Sequence, residues 1–296
     1  MELRVLNYFL MVAREENITR AANLLHITQP TLSRQLMQLE DELGVRLFER
    51  SNHNIVLTDD GMMLRRRAQE MVSLAEKTKL EFQKREDTLT GEISIGCGEI
   101  NSMNLLSDMV RDFRQKYPHV TFQISSDIAD SIKEKMENGL LDLGLLVEPV
   151  DISKYEFARM PEKERWGILV REDSPLADKD YITPEELVGL PLISPKRNLV
   201  QNELWSWFGE YAEQLDVVAY YNLTYNAAMM VKQGVGVLLT IHLHTEYEGL
   251  RFIPLTPELQ LGSVLAWKKS QVYSPVVNQF TNYVKICLQN MATNKR

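Results

Sequence analysis

The sequence predicts an all-α N-terminal domain carrying a winged helix-turn-helix, a long helix leaving it, and a C-terminal α/β domain made of two units. Three patterns carry this. Residues 18–39 hold two short helical patterns separated by a three-residue break. From Leu64 onward apolar residues recur at alternating spacings of four and three. From Ile93 onward apolar runs of strand length alternate with amphipathic helical stretches, once before Trp166 and again after it.

Taken in order, residues 2–14 place Leu3, Leu6, Phe9, Leu10 and Ala13 on one side of a first helix. Thr19 can cap a second helix carrying Ala21, Ala22, Leu24 and Leu25, and Thr28 a third carrying Leu32, Leu36 and Leu39. Pro30 falls in the first turn of that third helix, where its missing donor costs little. Only Leu25-His26-Ile27 separates the pair, a turn of helix-turn-helix length. The outward face then shows Gln29, Thr31, Ser33, Arg34 and Gln38, side chains of the kind that read base edges and phosphates. After Gly44, Phe48 and Val56-Leu57 flank a turn at Ser51-Asn52-His53-Asn54. This predicts a small hairpin, a wing with Arg50 and Ser51 at its reach and His53 solvated.

Ala21-Ala22, Leu24, Thr28-Gln29-Pro30, Leu32-Ser33, Leu39-Glu40, Leu43-Gly44 and Leu47-Phe48-Glu49-Arg50 stand in one register, continued by Leu57-Thr58 and Gly61. In this stretch the chain resembles the DNA-binding segment of LysR-type transcriptional regulators. The resemblance implies that the 29–38 helix enters a major groove. Gln29 would pair with adenine and Arg34 with guanine or phosphate, Pro30 and Thr31 would meet thymine methyls, and Gln38 would lie on the same ridge. Thr28, Ser33, Arg50 and Ser51 would anchor phosphates. Net charge is silent on the point: the whole chain carries −8, and residues 1–88 hold 13 Lys+Arg against 14 Asp+Glu. Binding must then rest on locally placed cations, Arg34 and Arg50 with Arg20 and Arg46, while Glu40, Asp41 and Glu42 point away from phosphate.

Thr58 caps the long helix, with Asp59 and Asp60 in its first turn. Leu64, Ala68, Met71, Ala75, Thr78 and Phe82 form a seam of heptad spacing, expected to pair with a second copy. A polar hinge at 87–91 follows. Strands are expected at Ile93–Gly96, Val120–Ile124 and Leu143–Val147, with helices between them, the second ending at Gly139 in a left-handed cap. The second unit should hold strands at Ile168–Val170, Leu190–Ile193, Val217–Tyr221, Val237–Ile241 and Val264–Trp267. Its helices should include one opened by the capping box Thr183-Pro184-Glu185-Glu186, others at 200–214 and 226–233, and a last one from Ser274-Pro275. This arrangement resembles the effector-binding domain of the same regulators, a two-lobed fold of the periplasmic-binding-protein type (type 2).

In open α/β sheets ligands sit beyond the carboxyl ends of strands, beside helix N-termini. Together with the resemblance, this nominates Gly98, Asn101, Ser102, Ser194 and Asn226 for a small-molecule effector. Lys196 and Arg197 suit an anion if they face the cleft, and Glu99, Asp127 and Glu148 oppose a dianion there. Catalytic readings fare poorly. Gly96-Cys97-Gly98 lacks the third glycine of a dinucleotide loop, His242 and His244 lack a third metal ligand, and no nucleophile elbow occurs. No enzymatic activity, metal or cofactor is expected. Cys97 and Cys287 read as structural, which suits a reducing cytoplasm, and no apolar run approaches membrane length.

The expected division is 1–58 for the winged helix-turn-helix (motif 18–37), 59–90 for the linker helix and hinge, and 91–296 for effector binding. The first lobe would take 91–161 and 267–296, the second 162–266. The resemblance implies a cytoplasmic homodimer or homotetramer on double-stranded promoter DNA, modulated by an effector, with RNA polymerase as a further partner. A small-molecule-binding protein of the periplasmic type, without DNA function, stays as the alternative.

Overall fold

The structure, a computed structural model, describes residues 1–50, 55–83, 89–269 and 271–294. The chain divides into two compact units, Met1–Arg85 and Glu86–Arg296, each with its own core.

In the first unit α1 (Leu3–Glu15), α2 (Ile18–Leu24) and α3 (Gln29–Leu43) pack around Leu6, Phe9, Ala22, Leu32, Leu36 and Leu39. The cap of α2 is Asn17 rather than the expected Thr19: its side chain accepts from the Arg20 N–H at 2.9 Å. Asn caps at least as well as Thr, and starting the helix at Ile18 lets that residue pack on the core. The turn out of α2 is a Schellman closure with His26 at φ 55° where glycine is usual. Ile27 N–H donates to the Ala22 carbonyl and His26 N–H to that of Asn23. Strands β1 (Phe48–Arg50) and β2 (Ile55–Leu57) pair antiparallel, Phe48 opposite Leu57, and Phe48 lies against Phe9 at 5.3 Å.

Helix α4 (Asp59–Gln83) starts from Thr58, whose hydroxyl accepts from Gly61 N–H at 3.0 Å and donates to the Arg46 carbonyl at 2.6 Å. The face expected to pair with a second copy is used within the unit. Ala68 is fully buried, and Leu64, Met71 and Val72 pack on the same core as α1. A heptad spacing specifies an apolar stripe, and here its first half, Leu64, Ala68 and Met71, lies against its own domain. The boundary expected at residue 58 is accordingly absent, because α4 belongs to the first unit. Phe82's side chain lies outside the described residues, and Thr78 is exposed. Gly61 shows how close the packing is: a Cβ there would meet the Leu47 carbonyl oxygen at 2.2 Å, a backbone atom with little freedom to retreat. Gly61→Ala is expected to destabilise this unit by about 2–3 kcal/mol, the usual cost of overpacking. Urea unfolding followed by far-UV circular dichroism measures it.

The second unit holds two sheets. β3 (Gly91–Cys97), α5 (Ser102–Lys116), β4 (Val120–Ser126), α6 (Ala129–Glu137) and β5 (Leu143–Val147) form a parallel α/β module, followed by β6 (Tyr155–Arg159). The chain then crosses to β7 (Glu164–Arg171), β8 (Pro191–Pro195), α7 (Asn198–Phe208), β9 (Asp216–Tyr221), α8 (Thr224–Lys232), β10 (Val237–Ile241), β11 (Leu250–Pro254) and β12 (Gln260–Leu261). It returns through Gly262 to β13 (Ser263–Lys268) and α9 (Pro275–Asn294). Sheet orders are β4-β3-β5-β13-β6 and β11-β7-β10-β8-β9, with β12 on β7. Phe113 of α5 and Phe280 of α9, 5.1 Å apart edge-on, meet in the first lobe's core.

Three expectations change here. The second lobe ends at Leu261, not 266, because all of β13 pairs with β5 and β6 of the first lobe. β6 and β11 escape the periodicity because they do not alternate: Glu156 and Phe157 are exposed side by side, and the buried Leu250 and Ile253 stand three apart. The capping box at Thr183 opens only a single 3-10 turn, Glu185–Leu187. Its return half is made, Thr183 N–H to Glu186 Oε2 at 2.8 Å, but Gly189 at φ 74° and Pro191 end the helix.

Candidate nucleic-acid interface and ligand cleft

Helix α3 is amphipathic by construction. Leu32, Leu36 and Leu39 turn inward at spacings of four and three, so the residues between them must face outward. Thr28 caps the helix, its hydroxyl 3.4 Å from the Thr31 amide and 2.8 Å from the Thr31 hydroxyl. Gln29, Pro30, Arg34 and Gln38 are exposed, while Thr31 and Ser33 are half-buried. Gln29 Nε2 donates to Ser33 Oγ at 2.9 Å, which aligns two of the expected contact residues along one ridge. Arg34 makes no hydrogen bond or ion pair with protein atoms among the described residues. Arg20, in contrast, is tied to Glu15, Nε to Oε2 at 2.6 Å, and so is less available to a phosphate. Arg50's side chain and Ser51 lie outside the described residues.

One contributor escaped the sequence reading. Glu40 is 9% exposed, and its Oε1 accepts from the amides of Leu47 at 2.7 Å and Phe48 at 3.3 Å. A carboxylate on the inner side of α3 thereby fixes the base of β1, and with it the wing's angle to the ridge. Its position at the helix's polar end gave no sign of this. The signal available was one acidic residue directly beside Leu39 on the buried stripe.

In the second unit a cleft of about 100 Å³ opens between the lobes, lined by the loop after β3, the start of α6, the end of β5 and the first turns beyond β8 and β9. Gly98 lines it; Asn101, Ser102, Ser194 and Asn226 do not. Asn226 is exposed on α8, whereas Ser194 is fully buried within β8. Asn101 and Ser102 sit at the opening of α5, and that position is already filled. Glu164, fully buried at the first crossover, accepts from Asn101 N–H at 2.9 Å, Ser102 N–H at 3.1 Å and Ser102 Oγ at 2.6 Å. Ser102 Oγ also lies 2.6 Å from Ser263 Oγ at the second crossover. The carboxylate satisfies the orphan amides of the helix start, where an external anion would otherwise be favoured. Asn101 Nδ2 donates to the His242 carbonyl.

The start of α8 is filled in the same way from the opposite side: Glu99 Oε2, on a first-lobe loop, accepts from Thr224 N–H. Asp127 accepts from Lys135 at 2.8 Å, Ser131 and the Ile128 amide. Burial works to raise its carboxyl, and these three donors hold it below its ordinary value.

Arg197 is 6% exposed in this cleft, whereas its neighbour Lys196 is exposed. Its two terminal nitrogens donate across the cleft to the carbonyls of Val147 at 2.9 Å and Pro149 at 2.7 Å. Its Nε stands 3.7 Å from Asp130, an ion-pair distance too long for a hydrogen bond. Burial pulls the guanidinium below its ordinary pKa, and Asp130 opposes that shift. Trp166, also lining the cleft, is 2% exposed.

Among the described residues no group of three or more His, Cys, Asp or Glu could hold a metal ion, and no helix is long and apolar enough to cross a membrane. His242 and His244 lie 4.2 Å apart, ring to ring, with His242 stacked on Phe252. Burial raises the Cys97 thiol pKa above its ordinary value.

Comparison with known proteins matches residues 3–62 to the family described as bacterial regulatory helix-turn-helix protein, lysR family. Residues 86–286 match the LysR substrate binding domain. The chain is 31% identical to the uncharacterized HTH-type transcriptional regulator YybE of Bacillus subtilis over 96% of this chain and 98% of that protein. It is 29% identical to the Hca operon transcriptional activator HcaR of Escherichia coli, covering 96% and 97% of the two. Among solved structures, CbnR, a LysR family transcriptional regulator, superposes with a TM-score of 0.77 at 20% identity, over 96% of this chain and 98% of that one.

Proposed function

The chain belongs to the LysR family of DNA-binding transcriptional regulators, and from that premise we propose which residues contact DNA, which face pairs two copies and where the effector sits. The single observation that carries the DNA assignment is that Gln29, Arg34 and Gln38 are exposed on a helix whose Leu32–Leu36–Leu39 stripe is buried. Gln29 and Arg34 read base edges; Pro30 and Thr31 meet thymine methyls. Thr28 and Ser33, with Arg50 and Ser51 of the wing, anchor phosphates. Selection of genomic fragments by the purified protein, followed by mobility shift at fixed salt, tests this. Failure to enrich any promoter sequence would overturn it.

With Leu64, Ala68 and Met71 of α4 packed on the first unit's core, the pairing face is the one beside them. Met63 and Leu74 are 65% and 40% exposed, and eleven residues bring a helix round by about three turns, so both stand on one face. A dimer formed there would present two ridges to half-sites spaced by about 10 bp or a multiple of it. The double variant Met63→Glu, Leu74→Glu is expected to elute as a monomer at micromolar concentration. An unchanged oligomer on size exclusion would refute the face.

The effector is placed between the lobes of 86–296. Of the residues nominated from sequence, Gly98 and Arg197 line this cleft. The chain is read as a cytoplasmic regulator without catalysis. A periplasmic-type binder without DNA function is not favoured, because residues 3–62 match the lysR helix-turn-helix family.

A further inference from the structure

The cleft is small and bridged from both sides. Its volume, about 100 Å³, is well under the roughly 300–1,000 Å³ of ordinary small-molecule pockets. From the second lobe, Arg197 donates to the carbonyls of Val147 at 2.9 Å and Pro149 at 2.7 Å, where β5 ends in the first. Asp130 of α6 stands 3.7 Å from its Nε and adds an ion pair in the same direction. From the first lobe, Glu99 Oε2 accepts from Thr224 N–H at the start of α8 in the second. Each of these hydrogen bonds has a charged partner, and such bonds are roughly twice as strong as neutral ones. Among the described residues no strand pair joins the two sheets, so neither sheet depends on these bonds.

We propose that these bonds form a latch: Arg197 and Glu99, one from each lobe, hold the lobes shut without help from a ligand. The pivot lies at the two crossovers, where buried Glu164 accepts from the amides of Asn101 and Ser102, and Ser102 meets Ser263. Those contacts sit beside the covalent connections between the lobes and persist when the lobes part. The bonds of Arg197 and Glu99 span the cleft, and they break. Closure is thus supplied by the chain itself, and a ligand too large for the present cavity enters only after the latch has parted. The latch acts whether or not the cleft is where the effector binds.

Nitroxide labels at Glu134→Cys on α6 and Asn202→Cys on α7, both exposed positions, report the separation of the lobes by pulsed electron paramagnetic resonance. Cys287→Ser removes the half-buried native thiol, and Cys97 is buried. The full-length protein is measured without ligand after mixing with excess unlabelled chain, so that distances within one chain dominate. With both latches intact, one narrow distance is expected. Glu99→Ala should add a longer one, and Glu99→Ala with Arg197→Gln should make it dominant. The ratio of open to shut should rise about tenfold or more for each latch removed. Glu99→Gln keeps an acceptor oxygen and should leave the narrow distance alone. Two distances, or one broad one, with both latches intact would mean that the lobes move freely, and overturns the proposal. A single narrow distance kept in Glu99→Ala also overturns it, because the Thr224 contact is then only a local helix cap. Opening by Glu99→Gln as large as by Glu99→Ala does the same, because the hydrogen bond is then not what holds. Glu99 is half-buried on a loop, so Glu99→Ala decides the matter even if loss of the buried Arg197 prevents folding.

Discussion

Arg34→Ala is expected to abolish sequence-specific DNA binding and to leave a folded oligomer of unchanged size. Arg34 is exposed, and no protein acceptor holds it among the described residues, so its removal strands nothing inside the molecule. A guanidinium bidentate to guanine contributes about 1–3 kcal/mol of discrimination per copy. Two half-sites bound together double this, giving a loss of about 30-fold to 10⁴-fold in affinity for the selected site. Affinity for unrelated DNA should fall much less, since one phosphate-range charge per copy is all that is lost there. Fluorescence anisotropy with both duplexes at one salt concentration separates the terms. An Arg34→Ala protein within threefold of wild type on its own site would remove this helix from base reading. The melting temperature should stay within a degree or so, as for most surface substitutions.

Glu164→Ala should produce the largest loss of stability in the second unit. The carboxylate is 0% exposed and is the acceptor for two amides and a hydroxyl. Truncation strands the two amides in the interior at about 1–3 kcal/mol each, while Ser102 Oγ keeps Ser263 Oγ as a partner, so a total loss of at least about 2 kcal/mol is expected. All four tryptophans of the chain, Trp166, Trp205, Trp207 and Trp267, lie in this unit, so intrinsic fluorescence during urea unfolding reports on it selectively. Glu164→Gln keeps one acceptor oxygen and should recover part of the loss. A midpoint unchanged in Glu164→Ala would mean that the α5 amides are satisfied in some other way.

The N-terminal elements were legible because their determinants are local. Thr28, Pro30 and the Leu32–Leu36–Leu39 stripe lie within a dozen residues and specify α3 unaided. Asn17 against Thr19 was a choice between two competent caps two residues apart, and tertiary packing of Ile18 decides it. The stripe on α4 was visible, but spacing states that a helix has an apolar face and not whose surface covers it. In the cleft, sequence found the loops and missed the occupancy. Ser102 and Asn101 have the right chemistry at the right helix start, yet the groups that fill it come from Glu164 and Ser263, 62 and 161 residues from Ser102. Arg197 was visible as a cation beside a strand end. Its burial depends on carbonyls at Val147 and Pro149, some fifty residues earlier.

The route of the chain through its two crossovers has a consequence for synthesis. Residues 164–261 make a contiguous lobe, complete as soon as they leave the ribosome. The other lobe is a split assembly. Among the described strands β6 pairs with β13 alone, whose first residue is made about a hundred positions later. At roughly 5–20 residues per second, β6 waits about 5–20 s as an unpaired edge on the nascent chain. During that wait its exposed Glu156 and Arg159 are the kind of charged side chains that keep a bare strand from pairing with a neighbour's. A chain released between residue 261 and the end of β13 thus carries one finished lobe and one that cannot close.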